Sequence, residues 1–259
     1  DLSRHPNNRN RCDGRWHHER MADVANEPFL VLWDIDRTLV DIGQVSREIY
    51  AKAFLEVTKQ PLQELADMAG RTEKAIIFDT LALHGIADPR SKCEELYIAL
   101  AAGADELREK MSREGHRLPG AQEAIAALAR DGVVQTVVTG NIKPIAITKL
   151  EVFGLTEHID IEVGGYGSDG IARATLVRLA WQRAVRKHRR RYRPDRVVVI
   201  GDTSYDVQAA HDVGVYAVGV ATGSSTVEEL AATHADAVLT DLTDTQVFLA
   251  AVFDRALHE

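Results

Sequence analysis

The chain has 259 residues, 45% of them hydrophobic and 27% charged, with a formal net charge of −8. That length suits one large domain or a core with a smaller insert, and the acidic balance argues against a nucleic-acid partner unless a local basic patch overrides it. No apolar stretch approaches the roughly 18 residues that span a bilayer, so no membrane partner is expected, and Cys12 and Cys93 show neither metal spacing nor a disulfide framework, which fits a reducing, cytoplasmic setting.

Residues 1–20 are rich in Arg, Asn and His, without apolar periodicity or the apolar core of a signal peptide. Met21 is expected to be the natural start, and residues 1–26 are expected to form a tail without packed structure. Phe29-Leu30-Val31-Leu32-Trp33, short, branched and aromatic and bounded by Pro28, predicts a buried strand. Asp34 and Asp36 stand where that run ends, in Asp34-Ile35-Asp36-Arg37-Thr38. Carboxylates at such a place are costly to desolvate unless a cation or hydrogen bonds compensate them, and open parallel sheets bind ligands at the carboxyl ends of their strands.

Residues 42–118 read helical almost throughout. Ile49, Ala53, Phe54 and Val57, then Ile76, Ile77 and Leu81, then Leu96, Ile98, Leu100 and Leu107 are read as recurring at helical spacing. Breaks fall at Pro61, Gly70, Gly85 and Pro89. No strand-like run interrupts the segment, which is expected to be an all-helical insert.

After Pro119-Gly120 the pattern alternates. Helix 120–130 leads to a strand at 133–138 and a helix at 142–153, stopped by Gly154. A third strand is expected at 159–163, then a glycine-rich turn over 164–170 and a helix over 171–190. Strand 197–200, helix 203–213 and strand 216–220 follow. Helix 225–233, with Ser225 as its N-cap, strand 237–239 and a helix over 243–254 complete the chain. The fold class this predicts is α/β: a doubly wound, Rossmann-like parallel sheet core of 27–41 and 119–259, with a helical cap of 42–118 inserted after the first strand. The run Arg186-Lys187-His188-Arg189-Arg190-Arg191-Tyr192-Arg193 is read as the solvated end of a helix, where cations suit the dipole, rather than as an RNA or phosphate patch.

Polar residues now gather at strand ends: Asp34 and Asp36; Thr139-Gly140-Asn141; Arg173 beyond the third expected strand; and Gly201-Asp202-Thr203-Ser204-Tyr205-Asp206. Asp202 alone would read as an N-cap. Acid pairs at two strand ends, with a hydroxyl loop and a cation, are harder to dismiss. Converging carboxylate oxygens suit a hard divalent cation such as Mg²⁺. The Thr139 loop precedes a helix, so its hydroxyl and backbone N–H groups can receive anionic oxygens, and Gly140 permits close approach. Arg173, or less favourably Lys149, can neutralise a transferring phosphoryl group. A carboxylate can attack phosphorus, and a second can serve as general acid and then base.

Asp34-x-Asp36-x-Thr38, Val138-Thr139-Gly140-Asn141, a basic residue near 173 and Gly201-Asp202-Thr203-x-x-Asp206 resemble the four ordered motifs of the haloacid dehalogenase superfamily of hydrolases. The likeness runs from about residue 29 to 240, and the insert resembles that superfamily's first-type cap. Within it, Thr139-Gly140-Asn141 and Lys149-Leu150 look most like phosphoglycolate-phosphatase-like proteins. The resemblance implies Asp34 as nucleophile and Mg²⁺ ligand, and Asp36 as general acid/base with its backbone carbonyl on the metal. It also implies Thr139 and Asn141 as phosphoryl binders and Asp202 and Asp206 as metal ligands. Arg173 replaces the family's lysine, keeping the charge with a forked geometry.

Arg37 departs from the family's glycine, which serves a positive-φ or close-packed turn; the expectation is a solvated or salt-bridged arginine pointing toward the cap. In the cap, Ala69-Gly70-Arg71-Thr72-Glu73 resembles a substrate-facing loop. Either Arg71 contacts a carboxylate or second phosphate on the leaving group, or Thr72 and its neighbours cap helix 73–84. Trp181 and Tyr205 are read as core or rim aromatics. The function expected is Mg²⁺-dependent hydrolysis of a small phosphorylated metabolite by a monomer or homodimer. The alternatives are a sugar-phosphate mutase, a haloacid dehalogenase, against which Asp36, Asp202 and Asp206 argue, and a non-catalytic binding protein.

Overall fold

Five apolar runs pair into one parallel sheet. In the computed structural model, which describes residues 27–86 and 88–253, these are β1 (Phe29–Trp33), β4 (Val133–Val137), β5 (Val197–Gly201), β6 (Tyr216–Val220) and β7 (Ala237–Leu239), in the order β4-β1-β5-β6-β7. β1 lies inside, paired from Phe29↔Val133 to Trp33↔Val137 on one side and from Leu30↔Val197 to Trp33↔Ile200 on the other. Every β1 residue is buried, because helices cover both faces; such strands are continuous apolar runs rather than alternating ones. The expectations for residues 1–26, including Met21 and Cys12, lie outside the described residues.

Alternate residues of β1 feed two cores. Phe29, Val31 and Trp33 pack with α5 (Ala121–Ala127), α6 (Lys143–Val152) and α10 (Thr245–Phe253). Leu30 and Leu32 pack with α7 (Arg173–His188), α8 (Ser204–His211) and α9 (Val227–Ala232). Trp33 stacks on Phe248 at 5.6 Å, and its indole N–H donates to Gln135 Oε1 at 3.0 Å, whose amide donates on to the Ile125 carbonyl at 2.9 Å. That chain satisfies polar atoms that would otherwise be costly at full burial.

Between β1 and β4 lie α1 (Val45–Thr58), α2 (Glu73–Leu83), α3 (Pro89–Glu106) and α4 (Arg108–Glu114). Ile49, Tyr50, Ala53 and Phe54 give α1 one apolar face, which meets Ile76, Ile77, Leu81, Leu96 and Leu100. Ile142 and Ile145 of the α6 region join the same cluster, so the cap and the sheet layer share apolar contacts.

Four expectations need correction. Residues 59–72 are not helical: Lys59 ends α1 at φ 60° and Pro61 follows, and proline clashes with a continuing helix. A two-residue antiparallel ladder, β2 (Val40–Asp41) with β3 (His116–Arg117), flanks the insert, pairing Val40↔Arg117 and Asp41↔His116; it is too short to show a strand pattern in the sequence. The expected strand 159–163 is a series of turns, because the Asp160 carboxylate accepts the Glu162 N–H at 3.1 Å and closes the backbone on itself. Only the Val138↔Gly165 bridge extends the sheet there. The N-cap of α9 is Thr226, not Ser225; its hydroxyl accepts the Glu229 N–H at 3.2 Å while Glu229 Oε2 accepts the Thr226 N–H at 2.8 Å, a reciprocal capping box.

The basic run is the end of α7 and the chain beyond. Lys187 and His188 reach Asp160 at 2.7 and 2.9 Å, and Arg193 pairs with Asp195 at 3.0 Å. Among the described residues no helix is long and apolar enough to cross a membrane.

Candidate active site

The Asp34 N–H donates to the Ile200 carbonyl at 2.8 Å, continuing the β1–β5 ladder one residue past the strand. This fixes Asp34 at the carboxyl edge of the sheet. The loop then folds back, with Leu39 N–H donating to Ile35 at 2.9 Å and Arg37 N–H to Val40 at 2.8 Å, while buried Ile35 and Leu39 anchor it. Arg37 sits at φ 63°, a left-handed conformation that costs a non-glycine residue about 1–2 kcal/mol. Its carbonyl accepts the Thr222 hydroxyl at 2.6 Å, and its half-exposed side chain places Nε 3.3 Å from Asp41 Oδ2 at the entry to the cap. The positive φ is the one glycine would supply, and the side chain is salt-bridged as expected.

Asp34, Asp202 and Asp206 converge, one carboxylate oxygen of each lying within 4.8 Å of the others, all three buried. Arg173, the first residue of α7, answers them: Nη2 is 2.5 Å from Asp34 Oδ1 and 2.6 Å from Asp206 Oδ1. The first contact is a hydrogen bond; the second is an ion pair without hydrogen-bond alignment, so buried Asp206 Oδ1 has no aligned donor. Thr38 Oγ1 lies 3.5 Å from Asp34 and 3.4 Å from Asp202. Asp206 Oδ2 accepts the Thr203 N–H at 3.1 Å and its hydroxyl at 2.6 Å. The N-cap of α8 is therefore Thr203, which frees Asp202 from the capping role its position suggested. Gly223 and Gly201 have no side chain because a Cβ would run into the carboxylates of Asp202 and Asp206 respectively.

Three carboxylates against one guanidinium leave an excess of negative charge out of contact with water. Burial pushes Asp34 up to about 7, opposed by Arg173 and reinforced by Asp206 and Asp36. Asp202 is pushed up to about 8 by burial, then by Asp34 and Asp206. Burial opposes the charge on Arg173, but Asp206 and Asp34 outweigh it and raise its pKa. A divalent cation would supply the missing charge, and an oxygen-only donor set with an undonated Asp206 Oδ1 suits a hard ion such as Mg²⁺.

The Asp36 side chain is not in that cluster. Lys149 Nζ, buried on α6, donates to Asp36 Oδ1 and Oδ2 at 2.6 and 2.7 Å and to Asn141 Oδ1 at 2.9 Å. Asn141 Nδ2 reaches Asp36 Oδ2 at 2.6 Å and Thr139 Oγ1 at 2.8 Å. Lys149, considered above for the phosphoryl group, thus belongs to Asp36. Its spacing of eight residues from Asn141, about two helical turns, was the available signal. The anion loop also differs from expectation. Thr139 N–H is taken by the Gly165 carbonyl at 3.0 Å and Asn141 N–H by Thr139 Oγ1 at 3.2 Å, which leaves Gly140 N–H for a ligand.

The close approach at Gly140 is made by the cap. A Cβ there would strike the Arg71 carbonyl, and the N–H groups of Glu73 and Lys74 donate to the carbonyls of Gly140 and Gly167 at 2.7 and 3.2 Å. Thr72 caps α2, accepting the Ala75 N–H at 3.3 Å. Arg71 holds Asp79 at 2.5 Å and lines the cavity. Sequence reasoning missed Glu73. Its buried carboxylate accepts the Ile142 N–H at 3.2 Å and the Tyr50 hydroxyl, and burial, above all other influences, raises its pKa. Tyr205 is an exposed rim residue whose ring would meet any side chain at Gly70, while Trp181 packs against the second core, away from the site. Between cap and core lies a cavity of about 290 Å³, lined among others by Asp34, Arg37, Arg71, Asn141, Arg173 and Asp202.

A family model for haloacid dehalogenase-like hydrolases matches residues 31–211, from β1 through α8, and the chain belongs to that family. It is 28% identical over 206 residues to tyrosine-protein kinase PtkA of Mycobacterium tuberculosis, a match covering 77% of this chain and 65% of that protein. It therefore spans less than two thirds of that relative. Phosphoglycolate phosphatase of Agrobacterium fabrum is 25% identical over 200 residues, 75% of this chain and 81% of that one. A hydrolase from Pseudomonas syringae superposes with a TM-score of 0.63 at 20% identity, covering 87% of this chain and 99% of its own. A haloacid dehalogenase-like protein from Streptococcus pneumoniae does so with a TM-score of 0.54 at 16% identity, covering 86% and 98%. The structural likenesses establish the α/β fold expected from the sequence.

Proposed function

We propose that the protein is a Mg²⁺-dependent phosphatase acting on a small phosphomonoester. The observation that carries this reading is the convergence of Asp34, Asp202 and Asp206 beside Arg173 at the carboxyl edge of the sheet. An Asp34 oxygen attacks phosphorus as the bond to the departing oxygen breaks, and Asp36 gives that oxygen its proton. The resulting acyl phosphate on Asp34 is cleaved by water, whose proton passes to the Asp36 carboxylate, regenerating both groups. Arg173 offsets the repulsion between anionic nucleophile and anionic substrate. Asp34, Asp202, Asp206 and the Asp36 carbonyl would hold Mg²⁺, which would supply further charge neutralisation. In this reading the substrate is phosphoglycolate-like or a sugar phosphate, with Arg71 facing its leaving group. The setting is cytoplasmic, and the acting unit a monomer or homodimer. The name of the Agrobacterium fabrum relative supports the phosphatase reading.

The test is phosphate release from phosphoglycolate, sugar phosphates, nucleotides and phosphoamino acids, with and without Mg²⁺. Mg²⁺-dependent release from at least one ester is expected. Absence of release from every ester refutes the reading, and a retained bisphosphate intermediate indicates a mutase. The PtkA likeness favours a second reading, in which the phosphoryl group passes from Asp34 to a tyrosine hydroxyl instead of water. Phosphotyrosine formed in place of inorganic phosphate would select it.

A further inference from the structure

We infer that Arg37 is a specificity-determining residue that binds a second anionic group, a carboxylate or phosphate, on the leaving-group side of the substrate. The inference rests on the phosphatase reading for what the bound molecule is, and on the cavity's own geometry for the binding.

Arg37 occupies a left-handed backbone position at φ 63°, where the turn needs only a positive φ and glycine meets that need without strain. Its backbone role is complete without a side chain: the N–H is bound to Val40 and the carbonyl to Thr222. A strained non-glycine residue at the edge of a reaction centre points to work done by its side chain. That side chain lines the same cavity as Asp34 and Arg71, approaching from the β1 loop while Arg71 approaches from the cap.

The other cationic side chains around this cavity are engaged more firmly, and Arg71 holds Asp79 at 2.5 Å with its own side chain 25% exposed. Arg173 answers Asp34 and Asp206, Lys149 answers Asp36, and the buried Glu73 carboxylate is held by Tyr50 and Ile142. Arg37 has one ion pair among the described residues, through Nε to Asp41 at 3.3 Å, with side-chain exposures of 53% and 25%. Exposed pairs of this kind are weak, so the terminal guanidinium nitrogens can be presented to a ligand oxyanion with a fork that fits carboxylate or phosphate. An arginine from each side of one small cavity suits an alcohol that itself carries an anion.

The test uses non-hydrolysable phosphonates and reads binding rather than turnover. Dissociation constants for 3-phosphonopropionate, propane-1,3-bisphosphonate and propylphosphonate are measured by calorimetry in Mg²⁺ for the wild-type chain and for Arg37→Gly and Arg37→Lys. Arg37→Gly is expected to weaken at least one of the first two by about 10-fold or more, the size of a lost charged hydrogen bond. Propylphosphonate, which has no second anion, should change by less than about 3-fold, and Arg37→Lys should fall between. The probe that responds identifies the second anion as carboxylate or phosphate. Equal weakening of all three, no weakening of the doubly charged pair, or no binding of that pair by the wild-type chain overturns the inference. A chain that binds them as expected yet hydrolyses no phosphomonoester refutes the phosphatase reading and leaves Arg37's binding role standing.

Discussion

Lys149 clamps Asp36: its buried ammonium reaches both carboxylate oxygens, at 2.6 and 2.7 Å, and ties them to Asn141. The Asp36 side chain is itself 42% exposed, so without the clamp water would compete for it and the Asn141 amide, at 2.6 Å from Oδ2, would be left to orient it. Lys149→Met is therefore expected to leave a folded protein with kcat lowered about 100-fold, the lower range for a general acid–base group. The loss in kcat/KM should be larger for an alkyl phosphate than for p-nitrophenyl phosphate, whose alcohol departs without protonation. Steady-state kinetics on both esters checks this; equal losses contradict it.

The acidic cluster links Mg²⁺, pH and stability. Asp34 at about 7 and Asp202 at about 8 lie above the ordinary aspartate value of 3.8, so between these limits the native state holds protons that the unfolded chain has released. Their contribution to stability is full below the unfolded value and is lost as pH rises through about 7 and 8. Metal-free protein should thus lose stability across that window. Because Mg²⁺ needs the ionised carboxylates, it should raise the melting temperature more at about pH 8 than at about pH 5. Thermal unfolding with and without Mg²⁺ at both values checks this, and an equal rise at both contradicts it.

Glu73 joins the cap to the core through Tyr50 and Ile142. Glu73→Ala leaves a buried hydroxyl and a backbone N–H without their acceptor, which should cost about 1–3 kcal/mol. Glu73→Gln keeps an acceptor oxygen and removes a charge that burial disfavours, so its cost should be the smaller. Denaturant unfolding of both variants measures the difference; Glu73→Gln as damaging as Glu73→Ala would show that the charge itself is required.

Much of this arrangement could be read before folding because a doubly covered parallel sheet writes each strand as an unbroken apolar run, and the polar residues that follow it share one edge. Phe29–Trp33 before Asp34 and Val197–Gly201 before Asp202 are of that kind. Ile159 and Val163 supplied a misleading apolar signal: both are buried, but by turns that Asp160 closes. Lys149 stands out in the sequence as a cation but with the wrong partner, and Glu73 carries no role there; the packing of α6 against the β1 loop gives Lys149 to Asp36, and that of α2 against Ile142 gives Glu73 its donors. The left-handed turn at Arg37 was readable as a departure from glycine, since position 37 carries a side chain where the turn needs none.

In the proposed reaction Asp34 takes the phosphoryl group. The direct measurement is rapid quenching with a radiolabelled phosphomonoester in Mg²⁺, followed by digestion to locate the label. A hydroxylamine-labile label is expected on the peptide holding Asp34, absent in Asp34→Asn together with turnover. An unlabelled Asp34 peptide alongside near-normal turnover in Asp34→Asn would contradict it.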